Sequence, residues 1–298
     1  MEQSLRTSGK SWLRLSGFLI ALSFLSTFSV SAQSERQPRK LLTSRYSKQL
    51  VGEVLLGRAD FRPFPRPGDE RWKLVAEELR KAHISAAEQY LGRDWPSLTA
   101  ARFLDFVRTG DRSRYQAQSF GRRDRLGELV LAEVFENEGR FIDEILNGVW
   151  LICEESYWGV PAHLGLQKAG SGLPDISEPT VDLFAAETGS LLAWTWHLVG
   201  DKLEKISPLI GKRIYAEIDR RILSPNLERS DFGWMGFSGR PVNNWNPWIN
   251  SNWLAAVLLM EDEAKRRAAA VHKIMDSLDR FLDGYPPDGG CDEGPGYW

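Results

Sequence analysis

The feature that most constrains the fold is a series of apolar segments with helical periodicity, separated by clusters of turn-forming residues. In the first segment, Trp72, Val75, Ala76 and Leu79 share one face of a helix predicted to start after Asp69. Similar segments follow at Leu98–Val107, Leu126–Phe135, Ile142–Cys153, Leu183–Leu198, Ile206–Leu223, Trp248–Met260 and Ala264–Leu282. Because strand patterns are nearly absent, the sequence predicts an all-α fold.

The connections between these segments alternate in length. Clusters of Gly, Pro, Asn and Asp fall after every second predicted helix, at residues 159–179, 224–247 and 284–296. Alternating short and long loops indicate stacked helix hairpins. In a ring of hairpins, the long loops would gather on one face and form a cleft. Loop length alone supports this arrangement, and a plain helical bundle is the alternative.

The N-terminal residues 1–32 have the layout of a secretory signal peptide. Three basic residues precede the apolar run Leu15–Val30, and Val30-Ser31-Ala32 forms a cleavage-like site. A membrane anchor is the alternative, but the run is shorter than the roughly 20 residues that a spanning helix needs. We therefore expect an exported protein, periplasmic or secreted, without stable membrane insertion after cleavage. Residues 33–68, which are basic and rich in proline, predict an extended lead-in to a helical domain at 69–298.

The composition excludes some partners and leaves others open. The formal net charge of −2 provides no global basic field, so nucleic acid is not an expected partner. Most of the 12 Trp are expected in the core, although a few in loops would suit a carbohydrate cleft. The four histidines are dispersed, so we expect no metal site and no cofactor. Cys153 and Cys291 are compatible with one disulfide or with two free thiols.

Two loops carry residues suited to binding a sugar. The loop from Cys153 to His163 places Glu155, Trp158 and His163 after a helix, where they can bind hydroxyls and stack on a ring. A structural role for these residues is the favoured alternative, because polar loop residues are common on any surface. We nevertheless keep Glu155 and His163 as candidate substrate-binding residues.

The second loop, Gly239–Trp248, contains Asn243-Asn244-Trp245-Asn246-Pro247. Asn followed by Pro is typical of a helix start, with Asn246 as the N-cap and Pro247 as the first helical residue. Asn243 and Asn244 then lie just before a helix N-terminus, where amide donors and the positive end of the helix dipole suit a carboxylate.

Three segments resemble the heparinase II/III-like polysaccharide lyases. They are Leu183-Phe-Ala-Ala-Glu-Thr188, Asn243-Asn244-Trp245-Asn246 and Tyr285-Pro-Pro-Asp-Gly-Gly-Cys-Asp-Glu-Gly-Pro-Gly-Tyr-Trp298. The resemblance extends from about Trp72 onward, and a spacing of 54 positions (297 − 243) between Asn243 and Tyr297 strengthens it. It implies an incomplete (α/α) toroid of stacked helix hairpins followed by a β-sandwich. The chain stops at Trp298 without a β-rich segment, so we expect an N-terminal portion of a longer enzyme with little or no activity by itself.

The resemblance also implies a chemistry, the β-elimination of an acidic, uronate-containing polysaccharide. Tyr297 takes the role of catalytic acid, and often also of base, while Asn243 meets the uronate carboxylate. Asn244, Trp245 and Glu293 are then further substrate-binding candidates. The amides stabilise the negative charge that develops on the carboxylate when the C5 proton leaves.

Two other functions remain open at this point. A glycoside hydrolase on an (α/α) barrel needs two facing carboxylates, for which the candidates are Glu155, Asp182, Glu187 and Glu293. A non-catalytic carbohydrate-binding toroid needs neither the carboxylates nor Tyr297. The sequence does not identify the polysaccharide.

Overall fold

The regular secondary structure of the described residues is entirely helical, which confirms the all-α prediction. A computed structural model describes residues 38–286, 288–290 and 294. In these residues the α-helices are α1 (Lys48–Val54), α2 (Glu77–Glu88), α3 (Ala100–Thr109), α4 (Ser113–Glu136), α5 (Ile142–Glu154), α6 (Leu183–Ile206), α7 (Pro208–Ile218), α8 (Ser224–Glu228), α9 (Trp245–Met260) and α10 (Ala264–Gly284). A π-helical segment, Asp219–Leu223, joins α7 to α8.

Local capping chemistry explains several helix bounds. The helix α6 begins at Leu183 because the carboxylate of Asp182 accepts a hydrogen bond from the Ala185 N–H at 2.7 Å. Ser207 separates α6 from α7 and caps α7, whose first residue is a proline. At the other end of a helix, α3 stops at Gly110, which adopts a left-handed conformation with φ of 78°. The sequence therefore determines these bounds locally.

The predicted continuous helix from Asp69 is wrong. Glu70–Leu74 forms a 3-10 turn, Val75 and Ala76 are non-helical, and α2 begins only at Glu77. Trp72 anchors the turn, because its indole N–H donates to the Arg66 carbonyl at 3.0 Å and its ring meets Phe135 edge-on. The apolar face suggested by periodicity is not buried as one unit, since Leu79 is half exposed.

The lead-in packs on the helical surface, but it is not extended throughout. It contains α1, which lies against α10. Just before α1, the buried carboxylate of Asp279 accepts hydrogen bonds from the Leu42 and Thr43 N–H groups and from the Thr43 hydroxyl, at 2.6–2.9 Å. One α10 side chain thus fixes the path of the lead-in.

The long helices pack as successive neighbours. Helices α4, α6 and α9 contact one another in that order, and α5, α7 and α10 pack on α4, α6 and α9 respectively. The short connections are residues 137–141, Ser207 and residues 261–263, whereas residues 155–182 and 229–244 are long. The two long loops touch, because the Trp234 indole donates to the Val181 carbonyl at 3.0 Å. The loop residues that the sequence marked for chemistry therefore lie near one another.

Tryptophans fill much of the space between these helices. Trp158, Trp234 and Trp253 are buried, and Trp72, Trp95, Trp194, Trp196 and Trp245 are partly buried against the core. Trp150 and Trp248 are the exposed tryptophans of the described residues. Trp158 occupies the interior, where its indole N–H donates to the Ile152 carbonyl and the Arg221 guanidinium lies over its ring. The role of Trp158 is therefore structural. Trp248, in contrast, lies at the surface, where it can contact a ligand.

Candidate functional site

A cleft of about 470 Å³ opens between α4, α6 and α9. It combines aromatic rings with charged and hydroxyl groups, a mixture typical of small-molecule and sugar sites. Its lining residues are Phe120, Arg123, Asp124, Phe184, Glu187, Thr188, Leu191 and Trp248. Trp248 is 40% exposed, so part of this residue is accessible to a ligand. The cleft is the candidate functional site.

Arg123 brings a fixed positive charge to the cleft. Its guanidinium forms a two-pronged ion pair with Glu155, at 2.9 and 2.6 Å, and its Nε donates to the Thr188 hydroxyl at 3.0 Å. The same carboxylate also accepts a hydrogen bond from Arg122 at 3.0 Å. Two guanidinium groups therefore share the Glu155 carboxylate, which holds Arg123 at the wall of the cleft.

Glu155 lies behind the cleft and does not line it. Its side chain is 3% exposed, and it faces a separate cavity of about 260 Å³ that is also lined by Tyr115 and Tyr157. Both carboxylate oxygens are engaged by arginine. The contact of Glu155 with substrate stays a prediction. In the structure, the Glu155 carboxylate orients the Arg123 guanidinium.

Two carboxylates lie among the cleft residues. Burial raises the pKa of Glu187, and the negative charge of Asp124 adds to this effect. The pKa of Asp124 is also raised, by burial first and by Glu128 second. The two groups therefore hold their protons to higher pH than ordinary side-chain carboxyls, which is a property expected of a general acid.

His163 and Trp245 lie together at the Phe184 side of the cleft. The His163 ring stacks on Phe184 with centroids 5.6 Å apart, and its centroid lies 4.7 Å from that of Trp245. Its Nδ1 is 2.8 Å from the fully buried carboxylate of Asp182. Because Asp182 also accepts backbone N–H bonds from Val160 and Ala185, its oxygens are held in place and fix the orientation of the ring.

The predicted cap of α9 is wrong in detail. Asn244 is the N-cap residue, and the Asn243 side-chain oxygen accepts the Trp245 N–H at 3.2 Å. Asn246 lies inside the first turn and is fully buried, with its amide donating to the carbonyls of Trp234 and Ser277 at 2.8 and 3.0 Å. The Asn246-Pro247 pair is typical of a helix start, but hydrogen bonds to Trp234 and Ser277, which are distant in the chain, hold Asn246 in the interior. Asn243 remains exposed beside Trp245, as a substrate-binding amide requires.

Several candidates lie outside the described residues. They are Tyr297 and Glu293 of the closing segment, Cys291, and the predicted signal peptide at 1–32. Cys153 is buried with a free thiol, and burial raises its pKa to about 12. The structure thus brings together His163, Trp245 and the Asn243–Asn244 turn, while Glu155 acts from behind through Arg123.

Sequence reasoning missed Phe120, Arg123, Asp124 and Trp248 as cleft residues. The signal was present in α4, where Phe120, Arg123 and Asp124 are spaced to share one helix face. Only the packing of α4 against α6 turns that face into a wall of the cleft.

The chain matches no family model, and no curated protein shows significant similarity to it. No group of three or more His, Cys, Asp or Glu side chains in the described residues is placed to hold a metal ion. No helix of the same residues has the length and apolar character needed to cross a membrane.

Proposed function

We propose that the cleft binds an acidic, uronate-containing polysaccharide and that the protein belongs to the heparinase II/III-like lyases, which cleave such chains by β-elimination. The observation that carries this proposal is that His163 contacts both Trp245, which follows the Asn243–Asn244 turn, and Phe184, which lines the cleft with Arg123. The contact order of α4, α6 and α9, with hairpin partners behind them, supports an incomplete (α/α) toroid as the arrangement.

The parts of the cleft suit the parts of such a substrate. Trp248 and Phe184 offer flat apolar surfaces for sugar rings, and Arg123 offers positive charge for a uronate. The amides of Asn243 and Asn244 lie at the N-terminus of α9, where the helix dipole also favours an anion. Stabilising the carboxylate in this way makes the C5 proton easier to remove. Tyr297 is the proposed acid that protonates the departing 4-linked oxygen, and in relatives of this type it often serves as base too.

Binding to the cleft is tested with uronate oligosaccharides and two matched tryptophan variants. Trp248→Ala is expected to weaken binding about 10-fold, because it removes an aromatic platform worth about 1.4 kcal/mol. Trp150→Ala removes an exposed tryptophan of α5, outside the cleft, and is expected to leave the affinity unchanged. Equal affinities for the two variants, measured by titration calorimetry, would exclude the cleft as the binding site.

The reaction itself is tested by its product. In the proposed longer enzyme, elimination leaves an unsaturated uronate that absorbs in the near ultraviolet, and Tyr297→Phe in that enzyme is expected to abolish the absorbance without changing affinity. New reducing ends without the absorbance would contradict elimination.

A second candidate, glycoside hydrolysis, is supported by one observation. Asp124 and Glu187 both line the cleft, and both have raised pKa values, as a general acid would need. This function predicts that Glu187→Gln abolishes the formation of reducing ends, whereas Tyr297→Phe does not.

A further inference from the structure

A second polar cavity lies between the proline-rich lead-in and the later turns of α6. Its volume is about 250 Å³, and the polar groups that line it include Arg58, Arg62, Arg66, His197, Asp201 and Glu204. The cleft uses Glu187 and Leu191 of the same helix, whereas this cavity uses His197 and Asp201. The nearest lining residues of the two sites on α6 are Leu191 and Trp196, about 7.5 Å apart along the helix axis, and no residue lines both sites.

The three arginines of the cavity differ in their partners. Arg58 forms an ion pair with Asp262 at 2.5 Å, and Arg66 forms one with Asp201. Arg62 has no ion-pair partner among the described residues, although it lines the cavity with the other two. Glu204 also lines the cavity and contributes an opposing charge. One guanidinium is thus left to bind an anion that enters from solvent.

The imidazole of His197 lines the cavity with the arginines. Its pKa is lowered mainly by burial; a hydrogen bond to the Phe64 backbone opposes the shift, and the charges of Arg62 and Arg66 add to it. Both arginine charges therefore disfavour the protonated imidazole. An anion bound between Arg62 and His197 would reverse this effect.

We propose that this cavity is an oxyanion-binding site in which Arg62 is the principal ligand, Arg66 supplies further N–H donors, and His197 adds a donor when its imidazole is protonated. The fork of a guanidinium matches the oxygens of phosphate, sulfate or a carboxylate. The cavity is large enough for such a group, whether it is a free ion or is carried by a sugar. The inference does not depend on the proposed lyase activity, because no cleft residue takes part.

The test follows the imidazole signals of the full chain by NMR during titration at constant ionic strength. Inorganic phosphate, inorganic sulfate and glucuronate serve as separate probes, which distinguishes a tetrahedral anion from a sugar carboxylate. Saturable shifts of the His197 signal, together with an upward change of its pKa, are expected for at least one probe. The signals of His83 and His272 provide internal controls, since neither residue lines the cavity.

Three variants locate the site. Arg62→Gln is expected to weaken binding about 10-fold, as loss of a charge-assisted contact does. Arg45→Gln, which removes an exposed lead-in arginine outside the cavity, is expected to have no effect. Glu204→Gln is expected to strengthen binding about 3-fold, because it removes an opposing charge at the cavity wall. Thermal melts of the three variants establish that each is folded.

The site is overturned if all three probes give only linear, non-saturating shifts. It is also overturned if Arg62→Gln binds as tightly as the unaltered chain. The opposite expected directions for Arg62→Gln and Glu204→Gln separate a specific site from a general loss of structure, which would weaken binding in both.

Discussion

The start of α9 contains two pairs of asparagines in opposite surroundings. Asn243 and Asn244 form the turn before the helix, and the side chain of Asn243 lies at the surface beside Trp245. Asn246 and Asn250 are fully buried, and both donate hydrogen bonds to the hydroxyl of Ser277 on α10. The side chain of Asn243 is exposed, whereas the second pair holds α9 to α10. Identical side chains a few residues apart therefore differ in burial and in their contacts.

The largest expected effect concerns the buried pair. Asn246→Ala removes the donor that satisfies the Trp234 and Ser277 carbonyls and leaves polar groups without partners in the interior. We expect a loss of about 2–3 kcal/mol in the free energy of unfolding, measured by urea denaturation. Asn252→Ala is the matched control, because its amide bonds only to the Trp248 carbonyl of the same helix. Similar losses for both variants would show that the buried amides do not connect the helices.

The sequence could predict the helices, but it could not predict which asparagines at the start of α9 are buried and which are exposed. Periodicity placed α5, α9 and α10 close to their observed bounds, because apolar spacing is a local property. It also gave the start of α6, but that helix continues eight residues past the predicted end at Leu198. The assignment of Asn246 as a cap failed because its partners, Trp234 and Ser277, are distant in the chain. No local pattern reports such a contact.

The same reason limited prediction of the site. His163 and Trp245 were both candidates, but their contact depends on Asp182 and Phe184, which orient the histidine across a long loop. Arg123 looked like an ordinary helix arginine, and its fixed position depends on Glu155 at the end of another helix. The sequence could therefore identify candidate residues such as His163 and Trp245. The contacts that position the site residues join distant parts of the chain, so they could be seen only in the folded structure.

A smaller effect is expected on the cleft side, at Glu187. Burial raises its pKa above the ordinary value, so the folded chain holds this proton more tightly than the unfolded chain does. The contribution of this group to stability must then fall as pH rises from the unfolded-state pKa through the folded-state pKa. Glu187→Gln removes that loss, and its melting temperature should exceed that of the unaltered chain at pH 7 but not at pH 4.

The control for this comparison is Glu138→Gln, an exposed carboxyl outside the cleft. The difference in melting temperature between Glu138→Gln and the unaltered chain should be the same at pH 4 and at pH 7. If Glu187→Gln behaves in the same way, the cleft does not disfavour the charged carboxylate, and the case for a general acid at this position is lost.

The smallest effect on stability is expected at Asn243, the exposed member of the comparison. Asn243→Ala removes one side-chain hydrogen bond to the Trp245 N–H, and that N–H lies at a helix start where water can replace the lost partner. The free energy of unfolding should change by less than about 0.5 kcal/mol. Affinity for uronate oligosaccharides should nevertheless fall, because an amide donor at the positive end of the helix dipole is lost. A variant that loses stability but keeps its affinity would place Asn243 with the buried asparagines, and the distinction between the two pairs would fail.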